Sequence, residues 1–278
     1  MILIKLKYLP FLKELTMSLI VRNDIEHFKE LINKKKYSFI DFGTSKGNSI
    51  KFAKNIFNPS GQGLGIDIDQ NKIDKALSCG YDAINFNIEN IPEDIKFDFC
   101  IMSHFLEHLY DIETAKRMIV KSCKISNKFV YIQQPCFDSD GYLFRNKLKL
   151  FFSHWHGHTL KLSSLDFYNI LQELKEKGLC TDFTIQTRSP IFDSNHPSIH
   201  PIDSPIDQQK YNFNVHPPKP KTIKFEVPVF EEIIIVISKS IDIHNDIRSI
   251  VQNRRKTLPM FDTSPEISCS SSQIGEIQ

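Results

Sequence analysis

The sequence predicts an open, doubly wound α/β fold, and three observations carry that expectation. Residues 39 to 69, FIDFGTSKGNSIKFAKNIFNPSGQGLGIDID, run as apolar strand, glycine turn, helical pattern and second apolar strand. Residues 97 to 103, FDFCIMS, are almost continuously apolar, as a parallel strand covered on both faces is. The 278 residues, 41% of them hydrophobic, suffice for one medium α/β domain with additions.

Charge excludes some partners. Lysine plus arginine (35) nearly balances aspartate plus glutamate (33), so no overall field favours nucleic acid or an anionic membrane. No basic stripe with interleaved aromatics stands outside residues 142 to 152, which makes nucleic acid an unlikely acceptor. The apolar N-terminus is broken by Lys5, Lys7, Pro10, Lys13 and Glu14, short of the roughly 18 uncharged residues a membrane span needs. Residues 1 to 23 therefore read as an amphipathic cap, with no membrane span. Six scattered cysteines without a C-x-x-C are expected to be reduced core thiols of a cytoplasmic protein.

Taken in order, residues 24 to 35 carry Ile25, Phe28, Leu31 and Ile32 at helical spacing and lead into the first strand. The turn Gly43-Thr44-Ser45-Lys46-Gly47 follows Asp41, and the next strand ends at Asp67. Glycines let backbone approach a ligand, a helix start offers unpaired N–H groups, and an acid about 20 residues on can grip a ribose. An adenosine-containing cofactor is expected. The turn lacks both the G-x-G-x-x-G dinucleotide pattern and the P-loop pattern, and Asp41 would repel a pyrophosphate while suiting a cationic group. Set against this is an ordinary βα turn of another doubly wound fold.

A helix is expected over residues 71 to 79 and a third strand over 81 to 86, followed by the polar turn Asn87 to Pro92. Ligands of open parallel sheets lie beyond the strands' carboxyl ends, so residues 103 to 108, after the fourth strand, should face the ligand. A helix over 111 to 125 and a fifth strand over 129 to 134 come next. Residues 141 to 152 read as a surface helix with Lys and Arg outward, or else as a wall of an acceptor pocket. Ser163 and Ser164 suit the N-cap of a helix running to Lys177. Residues 181 to 188 and 229 to 238 are expected to form an antiparallel pair. Between them, residues 189 to 228 hold eight of the 14 prolines and three His-Pro pairs, the marks of an ordered lid or of a solvated insert. Residues 239 to 278 read as a disordered tail.

Asp41-x-Gly43-x-x-x-Gly47 with Asp67, joined by the run FDFCIMSHFLEHL with its Leu-Glu-His, resembles the motifs of class I S-adenosylmethionine-dependent methyltransferases. The resemblance implies a Rossmann-like sheet of seven strands, order 3-2-1-4-5-7-6 with an antiparallel final strand, over residues 24 to 238 and with 189 to 228 inserted. It implies S-adenosyl-L-methionine as cofactor, held by Asp41, Gly43, Thr44, Ser45, Gly47, Asp67, Ile68, Asn87, Ile88 and Ser103. Ser45 stands where the family usually has a third glycine. Asn87 stands where an aspartate is commoner, with an amide oxygen that can accept the same hydrogen bond from adenine.

Methyl transfer from a sulfonium is an in-line displacement that needs alignment, a dry pocket and, for a hydroxyl acceptor, a base. His104 is the first expected base, because an imidazole pKa of about 6.5 suits neutral pH. His158 is the second, matching a histidine that many small-molecule methyltransferases have before the corresponding helix. Glu107 and His108 are read as support. His104, Glu107 and His108 also place three metal-ligand types on one turn, with His156 or His158 able to complete a set, similar to metal-assisted methyltransferases of RNA ribose hydroxyls. No residue is assigned to a metal. The expected acceptor is a small molecule such as a sugar or lipid precursor. The rival functions are a silent cofactor-binding module, the RNA enzyme and a nicotinamide-dependent oxidoreductase. The sequence sets neither the methylated atom nor the oligomeric state.

Overall fold

The computed structural model describes residues 24–219 and 222–264. The expected cap, residues 1–23, lies outside them, as do residues 265–278 of the expected tail. The chain divides into two compact units, one of residues 1–103 with 117–127, the other of residues 104–116 with 128–278.

The first unit opens with helix α1 (residues 24–34), whose Phe28 is fully buried and stacks on Phe86 at 4.6 Å between ring centroids. Strand β1 (Phe39–Phe42) follows, then α2 (Asn48–Ile56), β2 (Gly63–Asp67), α3 (Gln70–Ser78), β3 (Asp82–Asn85) and β4 (Phe97–Ser103). All four strands are parallel, in the order β3-β2-β1-β4. β1 is buried along its whole length, and Phe39 stacks on Phe99 of β4, 4.7 Å between centroids. Such continuous burial is what near-uniform apolar strands require. Asp69 caps α3 by accepting the Asn71 N–H at 2.9 Å, which ends β2 and turns the chain sharply.

The second unit is mostly antiparallel. Helix α4 (Ile112–Ile125) runs from it into the first unit. Strand β5 (Ser126–Pro135) leads to α5 (Asp140–Arg145), β6 (Leu148–Leu150), a 3-10 turn (Phe151–His154), α6 (Ser164–Glu176), β7 (Asp182–Asp193), β8 (Ile199–Pro201) and β9 (Lys224–Ser238). The expected caps of α6 are present: Ser163 and Asp166 exchange side-chain and backbone hydrogen bonds as a capping box. β9 pairs antiparallel with both β5 and β7, and Ile233 to Ile237 are buried. β9 and β7 occupy the places expected of strands seven and six.

Two segments and one cysteine differ from the sequence expectation. The sheet has eight strands, because β10 (Leu258–Asp262) adds antiparallel to β7. It follows α7 (Ile241–Arg255), so residues 241–262 are ordered structure where a disordered tail was expected. Only His244, Ile247 and Val251 of α7 are buried, an apolar stripe too thin to stand out in a helix whose stability comes from docking. Residues 141–152 are not one surface helix but the end of α5, β6 and an aromatic turn. The proline-rich insert is folded as well: β8 pairs with β6, and Ile191 and Ile199 join Leu148, Leu150, Phe152 and Val229 in a core of their own. None of the five described cysteines is in a disulfide, and Cys79 is exposed rather than in the core.

Candidate functional site

The glycine turn shapes the first unit's site. Gly43 and Gly47 have φ of 71° and 84°, and Ser45 has φ 49°, the left-handed region where glycine is cheapest. A side chain at Gly47 would also place its Cβ 2.2 Å from the Tyr81 ring. Thr44 is buried and fills the space that a Cβ on Gly65 would need. Turn and second strand interlock.

Two carboxylates stand at this turn. Asp67 is 6% exposed; its Oδ2 accepts the Ser45 N–H at 3.3 Å and its Oδ1 the Asp69 N–H at 3.0 Å, with Lys72 Nζ 3.7 Å away. The acid and the turn, distant in sequence, are therefore neighbours. Asp41 is fully buried. It accepts a hydrogen bond from the Ser49 hydroxyl through Oδ2, while Oδ1 has no hydrogen-bond partner. Burial pushes its carboxyl up to about 7, and the Asp67 charge adds to the rise.

The adenine-side expectations meet a local competitor. Asn87 caps the short 3-10 turn Ile88–Asn90 by accepting the Glu89 N–H at 3.0 Å, and Ile88 is buried. The Asn87 oxygen has a partner already, although an amide oxygen has a second lone pair. Ile68 is 76% exposed. Asn85 was missed by the sequence reading; its amide holds the Ile68 carbonyl at 3.1 Å. Ser103 ends β4, half-buried.

In the second unit a cavity of about 640 Å³ is bordered by His104, Glu107, His108, His158, Trp155 and Glu232 among others. Both expected catalytic histidines reach it. Pro197, Ser198, Gln209 and Lys210 also border it, as do Phe151 and Phe152, so the insert and the aromatic turn are walls of this cavity.

His104 begins a strained turn, with φ 52° and its N–H donated to the Gln133 carbonyl at 2.8 Å. Its Nδ1 stands 3.3 Å from Glu107 Oε1 and its Nε2 3.5 Å from Glu232 Oε1. Burial alone would lower its pKa, but the carboxylates of Glu107 and Glu232 raise it to about 9. With its pKa raised that far the ring keeps its proton at neutral pH, which weighs against a role for His104 as base. His158 is the opposite case: burial lowers its pKa, and Nδ1 lies 2.9 Å from the Phe152 carbonyl. A carbonyl only accepts, so Nδ1 carries the hydrogen and Nε2 the free lone pair.

Glu107 is wholly buried and neither oxygen has a hydrogen-bond partner, since the His104 contact lacks hydrogen-bond geometry. The segment 157–160 fixes its turn: Leu160 N–H donates to the Glu107 carbonyl at 3.1 Å, and the Thr159 hydroxyl to that of Leu109 at 2.7 Å. His108 Nδ1 lies 2.6 Å from the Gly157 carbonyl. His156, named with His158 as a ligand that could complete a metal set, is turned away and holds Asp207 at 2.8 Å.

A strand-turn-helix with two terminal acids on a Rossmann-like sheet is the arrangement in which S-adenosylmethionine-dependent methyltransferases hold S-adenosyl-L-methionine. Residues 40–130, about a third of the chain, match the family model of the methyltransferase domain. No curated protein matches the chain. Among solved structures, an S-adenosylmethionine-dependent methyltransferase from Archaeoglobus fulgidus has a TM-score of 0.50 at 15% identity, covering 81% of this chain and 99% of its own, and supports the fold. A possible histamine N-methyltransferase from Thermotoga maritima has 0.45 at 14% identity, covering 84% of this chain and 98% of its own. Magnesium protoporphyrin IX methyltransferase from Synechocystis PCC 6803 has 0.44 at 13% identity, covering 81% and 84%. No helix among the described residues is long and apolar enough to cross a membrane.

Proposed function

We propose that the chain transfers the methyl group of S-adenosylmethionine to a hydroxyl or similar nucleophile of a small-molecule acceptor. The observation that carries this reading is Asp67 Oδ2 at 3.3 Å from the Ser45 N–H, with Asp41 buried and one oxygen unpartnered at the same turn. One acid suits ribose hydroxyls. The other lacks only a cationic donor, which the amino acid part of the cofactor would bring. Gly43, Thr44 and Gly47 line the backbone approach, Ile68, Asn87 and Ile88 flank the base, and Ser103 ends the strand that leads into His104.

The acceptor takes the cavity of about 640 Å³, a volume in the range of small-molecule sites. Trp155 and Phe151 offer apolar faces there, and His104 a cationic hydrogen-bond donor. Activation of the acceptor falls to the lone pair of His158. The free thiols of Cys100, Cys123, Cys136 and Cys180 fit a reducing, cytoplasmic setting.

Calorimetry with S-adenosylmethionine and with NAD tests the reading. Micromolar binding of the first alone is expected, weakened at least tenfold in Asp67→Ala. Preference for NAD would make the chain an oxidoreductase. Cofactor binding without turnover across a panel of hydroxyl acceptors would make it a silent module.

A further inference from the structure

We propose that Glu107, His108 and His158 form a binding site for a divalent transition-metal ion of the zinc, manganese or iron(II) kind on the wall of the acceptor cavity. The inference rests on the reading of that cavity as the acceptor site. One donor atom from each of the three side chains lies within 4.8 Å of the other two. A tetrahedral site with bonds near 2 Å spaces its donors by about 3.3 Å, so loading draws them in by at most roughly 1.5 Å. Side-chain rotation covers that distance.

A second observation is independent of this spacing. Glu107 is wholly buried and neither carboxylate oxygen accepts a hydrogen bond; His104 Nδ1 stands 3.3 Å from Oε1, which leaves Oε2 with no partner at all, and a buried acceptor left so costs a folded protein free energy unless something occupies it. The histidines supply a third. His108 Nδ1 stands 2.6 Å from the Gly157 carbonyl, and His158 Nδ1 2.9 Å from the Phe152 carbonyl. Each ring is thereby fixed in the tautomer whose Nε2 is a free donor, the outer-shell device by which metal-binding histidines are oriented. Both imidazoles and the carboxylate border the cavity. His104 is outside the set, because its ring nitrogens face Glu107, Gln133 and Glu232.

Two imidazoles with one carboxylate suit borderline transition ions and are poor for calcium or magnesium, which take oxygen cages. Three protein donors leave coordination positions open. An acceptor hydroxyl placed there ionises more readily, as metal-bound water does, and its proton leaves to solvent. The oxygen lone pair then forms the C–O bond to the methyl carbon, and the C–S bonding pair stays on sulfur as the thioether. The lone pair of His158 acts through the ion rather than directly on the acceptor proton.

Cobalt(II) is the probe. The full chain, stripped with chelator, is titrated with the ion while the visible d–d absorption is followed, and zinc is added in competition. One equivalent, displaced by zinc, is expected, with affinity falling at least 100-fold in His108→Ala and in His158→Ala. Glu107→Gln should do the same, with circular dichroism reporting that the variants are folded. Failure of the stripped, folded chain to bind cobalt, or undiminished binding in the double variant His108→Ala/His158→Ala, overturns the site. S-adenosylmethionine calorimetry on the same samples separates the two readings: a chain that binds cobalt but not the cofactor overturns the methyltransferase reading and leaves the metal site standing.

Discussion

Glu232 Oε1 lies 3.5 Å from His104 Nε2, while Glu107 Oε1 stands 3.3 Å from Nδ1 of the same ring. Each carboxylate therefore holds one ring nitrogen. Arg188 Nη1 donates to Glu232 Oε2 at 2.5 Å and the Gln133 amide to Oε1 at 2.8 Å, so Glu232 is itself fixed in place. Although burial works against it, Glu232 is held at about 2 by His104 and Arg188.

The first prediction follows from that clamp. In the metal-free chain, His104 titrates at about 9. A pKa above the unfolded value means a stabilising contribution complete below about 6.5 and lost as pH rises through about 9. Glu232→Gln removes one nearby charge and is expected to lower the His104 pKa by about one to three units. Ring-proton NMR against pH checks it; an unchanged midpoint refutes the clamp.

Asp41 gives a prediction of the same sign in a lower pH window. Its folded pKa of about 7 exceeds the ordinary aspartate value of 3.8, so the folded chain keeps a proton that the unfolded chain releases. Stability falls as pH rises from about 4 to about 7. Asp41→Asn should raise the melting temperature at pH 8 and weaken S-adenosylmethionine binding at least tenfold. A variant that melts lower and binds equally well contradicts both roles of the carboxylate.

Gly47→Ala tests the turn. The new Cβ meets the Tyr81 ring at 2.2 Å and sits at φ 84°. Left-handed backbone costs an alanine about 1–2 kcal/mol before any clash. Urea unfolding should show a loss of about 2–4 kcal/mol in total, partly recovered in Gly47→Ala/Tyr81→Ala. Equal losses in the single and double variants would remove the clash from the account.

Asp262 anchors the last strand. His244 Nε2 lies 3.1 Å from Oδ1 and Arg248 Nη1 3.1 Å from Oδ2, and these partners outweigh burial and hold its carboxyl below the usual range. Stability from this group is present above about 4 and lost as pH falls through its depressed pKa. Asp262→Ala should cost about 2–4 kcal/mol at pH 7 and less at pH 3, read from denaturant midpoints. A cost that does not depend on pH would assign the loss to packing alone.

Much of the first unit was legible because its signals are local. The glycine turn and the apolar runs of β1, β2 and β4 each sit within a few residues of their cause. The second unit depends on pairings between distant segments. Nothing near His104 announces Glu232, which arrives only because β9 pairs with β5 in the register Pro135↔Glu232. Gln133, too, owes its role to chain brought from far away, since its Oε1 accepts from Arg255 Nη2 at 2.9 Å. Helix α7 and β8 carry too few apolar residues to be seen before they dock. His104 was legible as a candidate beyond the fourth strand but its raised pKa was not, because protonation is set by neighbours that the spacing of residues does not reveal.

β10 closes the outer side of β7 over the register Leu258↔Thr187 to Asp262↔Thr184. A chain cut short by a premature stop after Ser240 would leave that row of N–H and carbonyl groups bare, an invitation to strand exchange between molecules. Loss of everything after Ser240 would then show itself first as insoluble protein in the cell, ahead of any defect in chemistry.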